Sequence, residues 1–333
     1  MSDRHQRCRA AVLRARAPDR ETFRAHAHAA WSVRAVLYAW RCPLTDLRQC
    51  FVGVGSADGR GSLIAPGAPK RVTTSVLVIA MPERMAKAVQ AERDDPDWTD
   101  ILDLVTNNEG WAEVGHPEWG QFVLGRDNPN FSSSGLAASV ATYFAAAGKQ
   151  NGLTVGDLEN AEVTRYVRGI DSSVLRYGNE ATEFMRSLYD EDRRGDADIP
   201  FVSAVLIQEQ LVHLYNQGAP LGDLTARGAA PRERMLAVHP REGTVEFDHP
   251  YLTLASASVE QRAAAQDFYA FLMEGAQQQR FIDFGFRALS DPTRPTARLA
   301  ETVGGSTRDR QRLVDLPEPA MLSAIQDAWD GTR

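Results

Sequence analysis

The chain has 333 residues, enough for two domains or one two-lobed domain, and its 43% hydrophobic and 24% charged content is ordinary for a globular protein. Its 37 Lys and Arg against 44 Asp and Glu leave a net charge of −7, which argues against a general nucleic-acid binder but not against a local anion pocket. No stretch is long and apolar enough to span a bilayer, and Cys8, Cys42 and Cys50 form neither a metal-binding repeat nor an evident disulfide framework.

The first twenty residues are basic but lack an apolar core, so they are not a secretory signal as written. Residues 1–30 have poor periodicity, and residues 31–40 form a short helix or strand. The stretch GVGSADGRG at 53–61 fails the dinucleotide spacing, because Asp58 stands where the third glycine belongs. Residues 74–81, TSVLVIAM, predict a strand buried on both faces, with Pro82 at the first position of the helix that follows. Residues 98–106 predict a helix with Trp98, Ile101, Leu102 and Val105 on one face. Trp111 and the sequence HPEWG at 116–120 form an aromatic turn.

The most informative stretch is FVLGRDNPNFSSSGLAASVATYFAAAG at 122–148. Phe122, Val123 and Leu124 are a short strand, and residues 125–130 are dense in turn formers. Leu136, Val140, Tyr143 and Phe144 then fall at helical spacing, and Gly148 is placed as a C-cap. A serine-rich turn entering a helix gathers backbone N–H groups, hydroxyl donors and the positive end of the helix dipole, which suits an anion. The other reading is that one of Ser132, Ser133 or Ser134 is simply an N-cap.

Residues 158–170 and 173–188 read as helices, the second broken near Tyr177 and Gly178, and 189–198 as a solvated loop. Residues 201–207 predict a buried strand, 209–216 a short helix, 235–239 and 251–255 strands, and 259–274 an amphipathic helix with Ala263, Phe268, Phe271 and Leu272 inward. A short helix over 277–284, a Pro- and Gly-rich tail over 291–318 and a last helix over 319–329 complete the chain. The alternation of strands and helices places it in the α/β class.

The order TSVLVIAMP, WTDILDLV, FVLGRDNPNFSSSGL, GDADIPFVSAV, AAAQDFYAFLM and QQQRFIDFGFRA resembles bacterial type 2 periplasmic substrate-binding proteins, in particular the molybdate- and sulfate-binding kind. GHPEWGQFVLGRDNPNFSSSGL, YVRGIDSSVLRYGNEAT and MPERMAKA resemble the branch that continues into a von Willebrand factor A domain. The resemblance covers roughly residues 71–330 and implies a fold of two α/β lobes with mixed sheets and ligand in the cleft between them. It implies an incomplete first lobe over 1–70, a hinge strand over 71–82, the second lobe over 83–238, a return to the first lobe over 239–290, and a linker with a C-terminal helix over 291–333. Family members begin with a signal or membrane anchor, so the resemblance implies an extracytoplasmic or cell-surface protein, whereas the start as written implies a cytoplasmic one. The sequence ends near where an A domain would begin, which suits a truncated or split gene product.

The resemblance places a small oxyanion or polar solute on Asn128, Ser132, Ser133, Ser134 and Gly135, with Ser203 near the second cleft-facing loop. Ser203 also reads as a satisfied structural serine. No cofactor or metal is expected. A zinc-deaminase reading of His116 and Glu118 fails because no cysteine follows Cys50. A nucleophile elbow fails because Phe131 stands where glycine is needed. His213 and His239 read as structural. The expected function is therefore a non-enzymatic solute-binding protein. The alternative is a ligand-free interaction or sensor module working with a von Willebrand factor A domain partner.

Overall fold

The computed structural model describes residues 65–331 except 66, 68, 94–95, 108, 195–200, 301 and 303–310. The expectations for residues 1–64, including the three cysteines, the glycine-rich stretch and the incomplete first lobe, lie outside the described residues.

The organising strand is β2, Ser75–Pro82, buried at all eight positions. It pairs antiparallel with β5, Ala204–Gln208, on one edge. On the other edge it pairs antiparallel with β6, Met235–Val238, and β7, Glu246–Phe247. β5 is joined in parallel by β3, Leu124–Asp127, and β3 in parallel by the edge strand β4, Val174–Gly178. Among the described residues this makes a mixed sheet in the order β4-β3-β5-β2-β6, with β7 beside β2.

Both faces of the sheet are covered, which is why residues 76–79 are a continuous apolar run rather than an alternating one. Leu77, Ile79 and Met81 face one core with the long helix α3, Ser133–Ala147, and with α1, Glu83–Glu92, α2, Trp98–Thr106, and α5, Ala161–Ser172. A single turn of helix, α4, Val155–Glu159, precedes α5. Val76, Val78 and Ala80 face a second core with α6, Ala181–Arg194, and α7, Glu209–Asn216. α3 is buried from Ser134 to Phe144, and small residues of its own, such as Ala137, Ala138 and Ala141, stand where other helices carry a polar face.

A smaller unit stands beside this body. β1, Lys70–Arg71, pairs with β8, Pro250–Tyr251. α8, Val259–Leu272, and α9, Gly275–Asp283, close around Val72, Leu272, Phe281 and Phe286. The backbone of Thr74, just before β2, bridges to Arg287, just after this unit. The last helix, α10, Pro319–Gly331, lies back on α3.

Several expectations change. Pro82 is the last residue of β2 and the N-cap of α1 rather than its first helical residue. Residues 174–178 are the edge strand β4, not a broken helix, and α6 runs on to Arg194 through the expected loop. Of the four expected inward residues of α8, Leu272 is buried and Phe268 and Phe271 pack half-buried against the same small core. Described residues of the segment read as a tail are packed: Leu299, Thr302, Gln311 and Val314 are buried. Ala237 N–H donates to Thr302 O, Thr244 N–H donates to Arg312 O, and Val314 N–H donates to Thr244 O. Thr302 thus sits against β6, and residues 312–314 against the turn that leads to β7.

Candidate functional site

The loop between β3 and α3 is shaped by its own side chains. Asn128 Oδ1 accepts from Asn130 N–H at 2.9 Å, the turn-forming bond its position in the sequence predicts. Asn128 O accepts from Phe131 and Ser132 N–H. Gly135 is dictated by the chain itself, because a Cβ there would overlap the carbonyl oxygen of Asp127 and the backbone of Asn128. α3 is thus pressed against the end of β3 at its first turn.

Ser132 is the N-cap residue, yet its hydroxyl caps nothing. It donates instead to Asp127 Oδ2 at 2.8 Å. The first-turn N–H groups of Ser133, Ser134 and Gly135, which have no helical acceptor by geometry, are left without a capping side chain. Ser134 is fully buried, and among the described residues its Oγ has no hydrogen-bond partner. Ser133 is partly exposed and accepts from Gln208 Nε2 at 3.5 Å. Gln210 Nε2 donates to Gln208 Oε1 at 3.1 Å, and Gln210 N–H reaches Ser75 Oγ at 3.4 Å. A neutral polar path therefore runs from the serines, past the carboxyl end of β5, to the start of β2 where the two units meet.

Asp127 lies beneath this turn. Burial pushes its carboxyl up to about 7, helped by the negative charge of Glu180 and opposed by the Ser132 bond and Arg126. Among the described residues its Oδ1 has no partner, and a Cβ on Gly178 would overlap that oxygen. The neighbouring Arg126 is fully buried and turns the other way. It pairs with Asp171 at 2.6 Å and donates to Gly135 O at 2.8 Å and Ser139 Oγ at 2.6 Å.

Ser203 does not join this group. Its hydroxyl accepts from Trp111 Nε1 and from Val123 N–H, both at 2.9 Å. It precedes β5, at the far end of the sheet from the serine turn, where it fastens the aromatic turn. The HPEWG turn is part of the same anchor: Trp111 packs on Trp119 and Phe122, and His116 stacks on Trp119. His116 and Glu118 pair with each other at the surface.

A buried cluster that the sequence did not announce lies at the junction of the units. Arg287 makes two bonds to Glu209, at 2.6 and 2.8 Å, and His239 Nε2 meets the same carboxylate at 2.7 Å. Burial would raise the Glu209 carboxyl, but the Arg287 charge and bonds hold it at about 2. Gln208 and Gln210, beside the serine turn, carry no signal in the sequence, because an amide at a strand end or in a helix's first turn makes no pattern. Arg126 and Asp127 left a usable signal, adjacent charges at the end of an apolar strand run.

The sequence matches the family described as bacterial extracellular solute-binding protein over residues 58–287. No curated protein matches it. Among solved structures it is similar to a spermidine/putrescine transporter substrate-binding protein from Streptococcus pneumoniae, at 10% identity and a TM-score of 0.48, over 88% of this chain and 78% of that one. It is similar to a periplasmic binding protein from Actinobacillus pleuropneumoniae with fructose-6-phosphate bound, at 12% identity and 0.47, over 81% and 70%. A sulfate-binding protein from Mycobacterium tuberculosis matches at 15% identity and 0.43, over 81% and 67%. What each of these binds is a property of that protein.

Proposed function

Because the chain belongs to the bacterial extracellular solute-binding proteins, we propose that it is a non-enzymatic, extracytoplasmic binding protein that holds a small oxyanion at the first turn of α3, between the larger body and the smaller unit. The observation that carries this reading is the redirected N-cap. Ser132 gives its hydroxyl to Asp127, and the N–H groups of Ser133, Ser134 and Gly135 are left for a ligand. A 15-residue helix concentrates positive potential at that end. An oxyanion offers only acceptors, and the groups around the turn are neutral donors: Ser133, Ser134, Gln208 and Gln210. Asn128 shapes the turn rather than touching the ligand, and Gly135 contributes only its N–H.

The buried Asp127 carboxyl is compatible with an anion above it. Its value near 7 means that a large share is protonated at neutral pH, and an anion would draw the proton on more firmly.

The test is a thermal-shift series on the full chain with molybdate, tungstate, sulfate and phosphate. Binding to the folded state raises the melting temperature by mass action, by an amount that grows with concentration. A shift with any of the four supports the reading, and none at millimolar concentrations contradicts it. The latter result favours a ligand-free module that works with a von Willebrand factor A domain protein.

A further inference from the structure

We propose that the C-terminal helix is part of the binding apparatus: α10 clasps the ligand loop from outside, and Gln326, Trp329 and Asp330 are positioning residues for it. The inference rests on the reading of residues 128–135 as the ligand site.

Met321, Ile325 and Trp329, spaced by four, are the buried stripe of α10. That stripe alone would seat a helix on α3. α10 does more. Gln326 Nε2 donates to Pro129 O at 2.9 Å, and Asp330 Oδ1 accepts from Asn130 Nδ2 at 2.6 Å. Gln326 and Asp330 are one turn apart, so they grip two consecutive residues of the loop from one edge of the helix. Pro129 is buried, although loop tips of this kind ordinarily face water.

The third contact reaches the helix start from below. The Arg126 guanidinium lies 4.6 Å from the Trp329 ring centroid, within cation–π range. The same guanidinium holds the carbonyl of Gly135, in the first turn of α3. Trp329 also meets Tyr177 of the edge strand β4, edge to face. One helix, about 200 residues further along the chain, therefore touches the turn at Pro129 and Asn130 and, through Arg126, the carbonyl side of the donors at 133–135. Occupancy of the loop and docking of α10 are linked, because each fixes atoms the other needs.

Hydrogen exchange on the full chain tests this. The variant is the double substitution Gln326→Ala and Asp330→Ala, which keeps the buried stripe and removes both side-chain bonds to the loop. The amides of Asn130, Phe131 and Ser132 are expected to exchange faster by about two- to ten-fold, the range lost bonds of this kind give. Amides in β2 and β5 should be unchanged. Asp330→Asn with Gln326 intact keeps an acceptor for Asn130 and should restore wild-type exchange. Where sulfate or molybdate binds the wild type, it should slow exchange in α10, and the double variant should lose that slowing. Loop exchange equal to wild type overturns the clasp, whether or not any anion binds. A uniform rise across the sheet marks α10 as merely structural and overturns it too. A selective loop effect in a protein that binds none of the anions supports the clasp and counts against the ligand reading alone.

Discussion

Replacing Gly135 with alanine sets helix propensity against packing, and the structure says which wins. Alanine gains about 1 kcal/mol over glycine inside a helix. Here the new Cβ would overlap Asp127 O and the Asn128 backbone. No side-chain rotation relieves a clash with backbone, so α3 or the loop must shift, at about 1–3 kcal/mol. The net expectation is a loss of up to about 2 kcal/mol, at roughly 2–4 °C in Tm per kcal/mol. Gly275 is the control: it too begins a helix, and a Cβ there meets nothing. Gly275→Ala should be neutral or gain up to about 1 kcal/mol. Urea unfolding of both variants against wild type decides it. The same sign of change in both would refute the claim that α3 is pressed onto the end of β3. Because the shift moves the donors at 133–135, Gly135→Ala should also weaken any anion binding seen in the wild type.

Asp127→Asn should change how stability depends on pH. The folded carboxyl stands at about 7 against 3.8 when unperturbed, so the fold binds the extra proton and stability falls as pH rises through that window. The difference amounts to roughly 4 kcal/mol at its upper bound. Asparagine keeps an acceptor for Ser132 and should flatten that fall, which unfolding at pH 5 and pH 8 would measure. Glu209→Gln should cost about 3–5 kcal/mol, because Arg287 is left buried without its charge partner. With Glu209 held at about 2, the wild-type contribution is present above about 4.5 and is lost as pH falls below that, so acid unfolding of wild type and variant should converge. Val78→Asp places a charge at a fully buried position of β2 opposite Ile207 and should yield no soluble folded protein. Near-wild-type circular dichroism would contradict the central place of β2.

The elements legible in the sequence were those whose burial is local. β2 reads as an apolar run because both its faces are covered, and α2 spans the residues its apolar spacing predicts. β4 was misread because it is an edge strand with Leu175 and Tyr177 exposed and Arg176 on its other face. The packing after Arg287 is illegible for another reason: Leu299 and Val314 dock singly, and a segment held by isolated residues has no period. Of the site, the turn chemistry of Asn128 and the serines was readable. What could not be read was which hydroxyl goes where. Ser132 turns to Asp127, and Ser134 is buried, so a carboxylate placed at Ser134 would test burial rather than binding, and the partly exposed Ser133 is the position to probe.

The most direct test of the oxyanion site is isothermal titration of the full chain with sulfate and molybdate, beside Ser133→Ala and Ser133→Asp. The account predicts binding by the wild type, weaker by about 1.5–3 kcal/mol in Ser133→Ala and abolished in Ser133→Asp, whose carboxylate would occupy the first turn of α3. Unchanged affinity in Ser133→Asp would remove the serine turn from the site.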